Sequence, residues 1–209
     1  MPAITEDIIN NSRHRRRDIV AIGASAGGVE AISHLLKNFP PNFRASVLVV
    51  LHRSPERISY LHNILSRTTK LHVVVPRDGD LIKPNICFVS PPDQHLMVGP
   101  GLRVRLLPDA FYRTHNIDAL FTSLAQHAGS RAIGVILSGQ LKDGTLGLSA
   151  IKQAGGVALV QSPSEAKYPE MAENAIRYVG EIDMIAPLDE LAGEILHLVG
   201  HNDHVLRGA

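Results

Sequence analysis

Tryptophan is absent from this chain, cysteine occurs once, and aromatic residues make up only 4% of its 209 residues. The lone Cys87 cannot close an internal disulfide or build a thiolate cluster, which excludes a disulfide-stapled secreted scaffold and a cysteine-based metal centre. Lying inside the apolar run ICFVS, it reads as a buried core thiol in a reducing compartment. Net charge is also lacking: 21 basic and 20 acidic residues leave +1, so neither nucleic acid nor a membrane surface is expected as the main partner. No apolar run reaches the roughly 18 residues that cross a bilayer, and the opening MPAITEDIIN lacks the order of a signal peptide. A cytoplasmic protein without membrane insertion is the expectation.

What is present is enough for one core. Hydrophobic residues make up 44% of the chain, with a mean hydropathy of +0.05. The single basic run, Arg13 to Arg17, reads as a solvated leader, with a docking or phosphate-binding patch as the alternative. The expected organisation is a leader over 1–17, one domain over 18–200 and a tail over 201–209. The tail's HNDH, His201 to His204, reads as a frayed end and not a zinc site. No metal is indicated, and no cofactor.

Short, β-branched, continuously apolar runs begin at Asp18, Ala45, His72, Ala132 and Val157, the pattern of strands buried on both faces. Segments of helical period begin at Gly28, Ile58, Ile117, Thr145 and Leu188. Strand followed by helix, repeated, predicts an α/β fold: a doubly wound, mostly parallel sheet with helices on both faces. From Gly79 to Leu107 the rhythm breaks into ICFVS, HLMVG and RVRLL, separated by PPDQ and GPG, which predicts an antiparallel hairpin at one edge.

In such a sheet, ligands and reactive groups collect beyond the carboxyl ends of the strands. Three polar residues fall there: Ser25 in GASAGG after the first strand, His52 directly after the second, and Asp143 in SGQLKDG after the strand AIGVIL. A serine, an imidazole to take its proton and a carboxylate to hold the imidazole are the parts of a nucleophilic acyl-transfer site. Singly, each has another reading. Ser25 sits in G-x-S-x-G, the spacing of a nucleophile elbow, yet a phosphate-cradling loop or a turn-and-cap serine fits the same residues. Asp143 also fits a cap on the helix beginning near Thr145. A dinucleotide site is disfavoured, because no lysine stands in P-loop position and no acidic ribose partner is evident. With no Asn or Gln placed near Ser25, oxyanion donors are expected from the backbone of Ala26 and of the loop around Gln140. His95 and His115 read as hairpin and surface histidines.

Taken together, IGASAGG at Ile22, LHRSPE at Leu51, ICFVSPPDQHLMV at Ile86, GVILSGQLKDGTLGLSAIKQAGG at Gly134 and AENAI at Ala172 resemble the successive blocks of the catalytic domain of CheB-type protein-glutamate methylesterases. The resemblance spans roughly Asp18 to Val199. It implies a cytoplasmic serine hydrolase that removes methyl esters from glutamate side chains of chemotaxis receptors and deamidates certain glutamines, with Ser25, His52 and Asp143 as the triad. It implies a methylated receptor-type protein as substrate. Fewer than twenty residues precede the first strand, so the receiver domain usual in the family is expected to be missing, with any receiver acting in trans.

The departures from the family pattern cluster around the triad. Ala26 replaces a hydroxyl residue after the nucleophile. Gln140, Leu141 and Lys142 precede Asp143 where S-G-M-G-x-D-G is common. Thr114, His115 and Asn116 replace R-P-S, and Met171 is followed by Ala172 where proline is usual. Ala26, Gln140, Lys142 and Met171 are the expected oxyanion and substrate-facing residues, with Lys142 favouring acidic substrates. The competing reading is a non-catalytic binding or regulatory module on the same scaffold.

Overall fold

The computed structural model describes residues 17–52, 60–108 and 115–201. Seven strands form its central sheet: β1 (Ile19–Ala24), β2 (Ser46–Leu51), β3 (His72–Val74), β4 (Ile86–Val89), β7 (Ala132–Ile136), β8 (Val157–Gln161) and β9 (Met184–Ala186). Their order is β3-β4-β2-β1-β7-β8-β9, with every neighbouring pair parallel. All six residues of β1 are buried, and they alternate between two cores. Val20 and Ile22 face one side, Ile19 and Ala21 the other. That alternation is why the strands read as unbroken apolar runs.

One face is covered by α1 (Gly28–Lys37), α2 (Leu61–Thr68) and α6 (Leu188–Leu198). Along α6 and at its end, Leu188, Leu191, Ile195 and Val199 are buried and Leu198 is partly so, packed against this core. The other face is covered by α3 (Asn116–Ala128), α4 (Thr145–Gln153) and α5 (Glu170–Tyr178). A bidentate pair from Arg131 to Asp18, at 2.9 and 2.7 Å, ties the amino ends of β1 and β7 together. Among the described residues no helix is long and apolar enough to cross a membrane.

The middle of the chain divides differently from its sequence pattern. The run expected to open the antiparallel group is β4, inserted in the parallel sheet between β3 and β2, with Cys87 and Val89 in one core and Phe88 in the other. The hairpin is β5 (Gln94–Gly99) with β6 (Arg103–Pro108), and it forms its own two-stranded sheet. It packs on α3, where the Ser123 hydroxyl accepts the Val98 amide at 3.0 Å. His95 is buried on β5.

Burial pushes the Cys87 thiol up to about 12. A thiol-directed reagent should therefore leave the native protein unmodified at pH 8 and consume one equivalent on unfolding in urea, read by absorbance or mass. Labelling at the rate of a free thiol would contradict the core placement.

Candidate active site

In the strand order, β1 stands between β2, which leads outward to β4 and β3, and β7, which starts the opposite wing. This is the topological switch of a doubly wound sheet, where the loops after the central strands diverge and leave a crevice. The loops carrying Ser25 and Asp143 follow β1 and β7. His52 follows β2, and its amide donates to the Ala24 carbonyl at 3.0 Å. Since Ala24 and Leu51 are register partners, Ser25 and His52 leave adjacent strands at the same level.

The connection from β1 to α1 is the tight turn its glycines announce. Gly27 has φ +72, a conformation that favours glycine, and a Cβ there would meet the Ser138 hydroxyl at 2.8 Å. Ser25 precedes this turn, half-buried. Among the described residues no hydrogen bond engages its hydroxyl, so the Ser25–His52 contact of a closed triad is not formed in this structure. Resting-state contacts of this kind commonly tighten only around a bound substrate.

The His52–Asp143 pair is fully formed, with Nε2 at 2.5 Å from Asp143 Oδ2. The Asp143 side chain is only 2% exposed. Its Oδ2 also accepts the Ile117 amide and its Oδ1 the Asp118 amide, both at 2.9 Å. Burial pushes the Asp143 carboxyl up, but the His52 hydrogen bond and these two amides outweigh it and hold the group below the usual carboxylate range. An ionised carboxylate only accepts, so the proton of this contact is on His52 Nε2, and it is Nδ1 that is left for the nucleophile's proton. The ring is thus turned over relative to the familiar serine-protease template, in which Nδ1 meets the aspartate.

Asp143 does cap a helix, but not its own. The amides it accepts belong to the first turn of α3, 25 and 26 residues away in sequence. The helix that follows it, α4, has Gly144 at its N-cap and no side-chain cap. One carboxylate therefore fixes the imidazole and anchors α3. Asp118, beside it, accepts the Gly147 amide at 2.7 Å and ties α3 to α4. Its carboxyl is pushed up, mainly by burial and further by the nearby Asp143, against the Gly147 hydrogen bond. His115 Nδ1 stands 3.6 Å from Asp118 Oδ2. His115, Asp118 and Asp143 bring ligand-type atoms within 4.8 Å of one another. A metal there would compete with three N–H donors for Asp143. Thr114 and the tail from Asn202 to His204 lie outside the described residues, as does all of the basic run except Arg17.

Of the expected oxyanion and substrate residues, Ala26 is half-buried beside Ser25, and Gln140 and Lys142 are exposed. Among the described residues neither the Ala26 nor the Gln140 amide is claimed by a hydrogen bond. Met171 is fully buried: its amide donates to the Gly139 carbonyl at 3.0 Å, and its side chain packs behind the loop. Gly139 is there because nothing larger fits. A Cβ would lie 2.8 Å from Met171 Sδ and 2.9 Å from Ser25 Cβ.

Sequence reasoning did not single out Ser138, whose hydroxyl bonds to Ala26 of the nucleophile loop and to Tyr168 before α5, or Asn174, whose Nδ2 donates to the Leu141 carbonyl at 3.0 Å. Ser138 was visible only as part of the S-G opening the late loop, and nothing local marks Asn174.

Leu141 has φ +70, the left-handed region, with its side chain 65% exposed. A leucine there costs about 1–2 kcal/mol, against roughly 0.5–1 kcal/mol for the extra freedom glycine has when unfolded. Leu141→Gly is expected to raise unfolding free energy by about 0.5–1 kcal/mol in urea titration. A destabilised variant would mean the leucine side chain makes a contact worth more than the strain.

A serine, a histidine and a buried aspartate gathered at the switch point of a doubly wound sheet define an α/β protein with a Ser-His-Asp constellation. The profile described as CheB methylesterase matches residues 20–195, and the chain belongs to that family. It is similar to a protein-glutamate methylesterase/protein-glutamine glutaminase 2 of Anaeromyxobacter dehalogenans, 34% identical over 181 residues, covering 86% of this chain and 53% of the relative. A relative of the same printed name from Pseudomonas aeruginosa is 36% identical over 183 residues, 85% of this chain and 52% of the relative. The chain thus spans about half the length of the curated relatives it matches. The crystal structure of the Thermotoga maritima CheB methylesterase catalytic domain superposes with a TM-score of 0.80 at 29% identity, covering 87% of this chain and 98% of that one.

Proposed function

We propose that this chain hydrolyses methyl esters of glutamate side chains on chemotaxis-receptor-like proteins in the cytoplasm, and deamidates glutamine side chains by the same route. The observation that carries the reading is the His52–Asp143 hydrogen bond, its carboxylate buried, which engages one ring nitrogen and leaves the other for a substrate-side partner, on a residue that leaves its strand level with Ser25. Ser25 Oγ adds to the ester carbonyl carbon while its proton passes to His52 Nδ1. The carbonyl oxygen becomes an oxyanion held by the amides of Ala26 and Gln140. The C–O bond to the methoxy group then breaks, and methanol departs with the proton from His52. Water, deprotonated by His52, attacks the acyl-serine; the acyl C–Oγ bond breaks, His52 returns the proton to Ser25 Oγ, and the glutamate side chain leaves as an acid that ionises in solvent. With a glutamine side chain the departing group is ammonia.

The test is to follow methanol release from a peptide carrying a glutamate γ-methyl ester, together with labelling by a fluorophosphonate located by mass spectrometry. Ester hydrolysis and labelling at Ser25 are expected. A folded protein that does neither is the binding-only relative instead.

Lys142 is exposed and in no ion pair among the described residues. Lys142→Gly is expected to raise KM several-fold for esters flanked by carboxylates while changing neutral ones little, with about 0.5 M salt reproducing part of the effect. Equal changes for both substrates would remove the electrostatic role.

A further inference from the structure

We infer that Ser138 is the positioning residue of the oxyanion hole, locking its two amide donors in one fixed relation. The inference rests on the catalytic reading above and assigns a role to a residue outside the triad.

Ser138 is 1% exposed, and every polar group it has is used. Its amide donates to Gln161 Oε1 at 2.9 Å, and its carbonyl accepts the Ser25 amide at 3.0 Å. Its hydroxyl donates to the Ala26 carbonyl at 2.9 Å and accepts the Tyr168 amide at 3.0 Å. The carbonyl and hydroxyl together grip the peptide groups on either side of the Ser25–Ala26 bond. The carbonyl within that bond, Ser25 O, is held by the Gly28 amide at 2.9 Å. In a trans peptide the N–H lies opposite the C=O in the same plane, so fixing the carbonyls fixes where the Ala26 N–H points.

The second donor is set in the same way. The Gly139 carbonyl accepts the Met171 amide at 3.0 Å, which fixes the Gly139–Gln140 peptide and so directs the Gln140 N–H. The Gly139 amide donates to the Tyr168 carbonyl at 2.9 Å, while the Tyr168 amide is held by Ser138. Ser138 is thus bonded to the nucleophile loop, leads directly into the late loop, and holds the segment that supports it. Two donors on separate loops stabilise an oxyanion only if their spacing does not drift, and misplacement by about 1 Å costs on the order of 10²-fold.

The test uses Ser138→Ala in the full chain. It is expected to fold, because alanine removes a single oxygen and keeps the Ser138 amide on Gln161 and its carbonyl on the Ser25 amide. The expected result is a fall in kcat of about ten- to a hundredfold with KM within about twofold. Affinity for a trifluoromethyl ketone analogue of the glutamyl ester, whose adduct with Ser25 carries the oxyanion, should fall by the same factor. Should the alanine variant fail to fold, Ser138→Cys keeps the shape with a weaker donor and is read by the same ratio.

A folded variant with unimpaired kcat overturns the inference, as does a loss of kcat without a matching loss of analogue affinity. Wild-type protein without Ser25-dependent hydrolysis overturns the catalytic reading and this inference with it. An active wild type beside an unimpaired Ser138 variant overturns this inference alone.

Discussion

Ser25→Ala is expected to lower kcat for glutamate methyl ester hydrolysis by about 10⁶-fold and to abolish fluorophosphonate labelling, with the fold unchanged. The size follows from the unity of the machinery: without the nucleophile, His52 and the oxyanion amides have no bond to form. The harmlessness to the fold follows from position. Among the described residues the Ser25 hydroxyl bonds to nothing, while the turn around it is held by backbone groups, the Ser25 amide on Ser138 and the Ser25 carbonyl on Gly28. Alanine keeps all of these. Methanol release measures the first effect, and thermal unfolding, with the midpoint shifted by no more than about 2 °C, measures the second. Retained hydrolysis would place the nucleophile elsewhere. A large loss of stability would make Ser25 a structural turn residue.

The parts of this site that were legible in the sequence are those that depend on local order. Continuous apolar runs marked the buried strands, and once a parallel sheet is granted, the residue just past each strand is near the crevice whatever the loops do. That rule selects Ser25, His52 and the loop of Asp143, and the structure brings His52 and Asp143 into contact. What escaped depends on partners far along the chain. ICFVS looked like part of the antiparallel group because of its neighbours, although its unbroken apolarity is that of a strand buried on both faces, and the structure makes it β4. The helix α5 escapes the sequence reading because it is polar on average and its buried face is short and largely small, Ala172 and Ala175 beside Met171. The edge strand β9 is three residues long with Ile185 exposed, too short to show a pattern. Asp143 read as a cap for the helix following it, since sequence offers only the nearest helix. That it caps α3 instead is a property of the fold.

This long-range cap makes Asp143→Asn the second large effect. In a serine-protease template the same exchange drops kcat by about 10⁴ because the amide favours the wrong imidazole tautomer, and a loss of that order is expected in methanol release. Here the geometry adds a cost to stability. Three N–H groups converge on the carboxylate: His52 and Ile117 on Oδ2, Asp118 on Oδ1. Asparagine has one acceptor oxygen, so in either orientation its NH₂ faces at least one backbone N–H, and one amide in the first turn of α3 is left without its acceptor. A destabilisation of about 2–4 kcal/mol is expected in urea titration at pH 7.

The pH dependence then separates the cap from simple packing. Asp143 is held below the usual carboxylate range in the fold, so its contribution is present above its unfolded pKa of about 4 and is lost as pH falls through the lower folded value. Asparagine does not titrate. The stability gap between wild type and Asp143→Asn should therefore hold steady from pH 7 to about 5 and close as pH drops below about 4, the wild type falling towards the variant. A gap that stays constant to about pH 3 would mean that the ionised carboxylate contributes nothing beyond its shape, and would remove the charge that holds His52 in its donor tautomer.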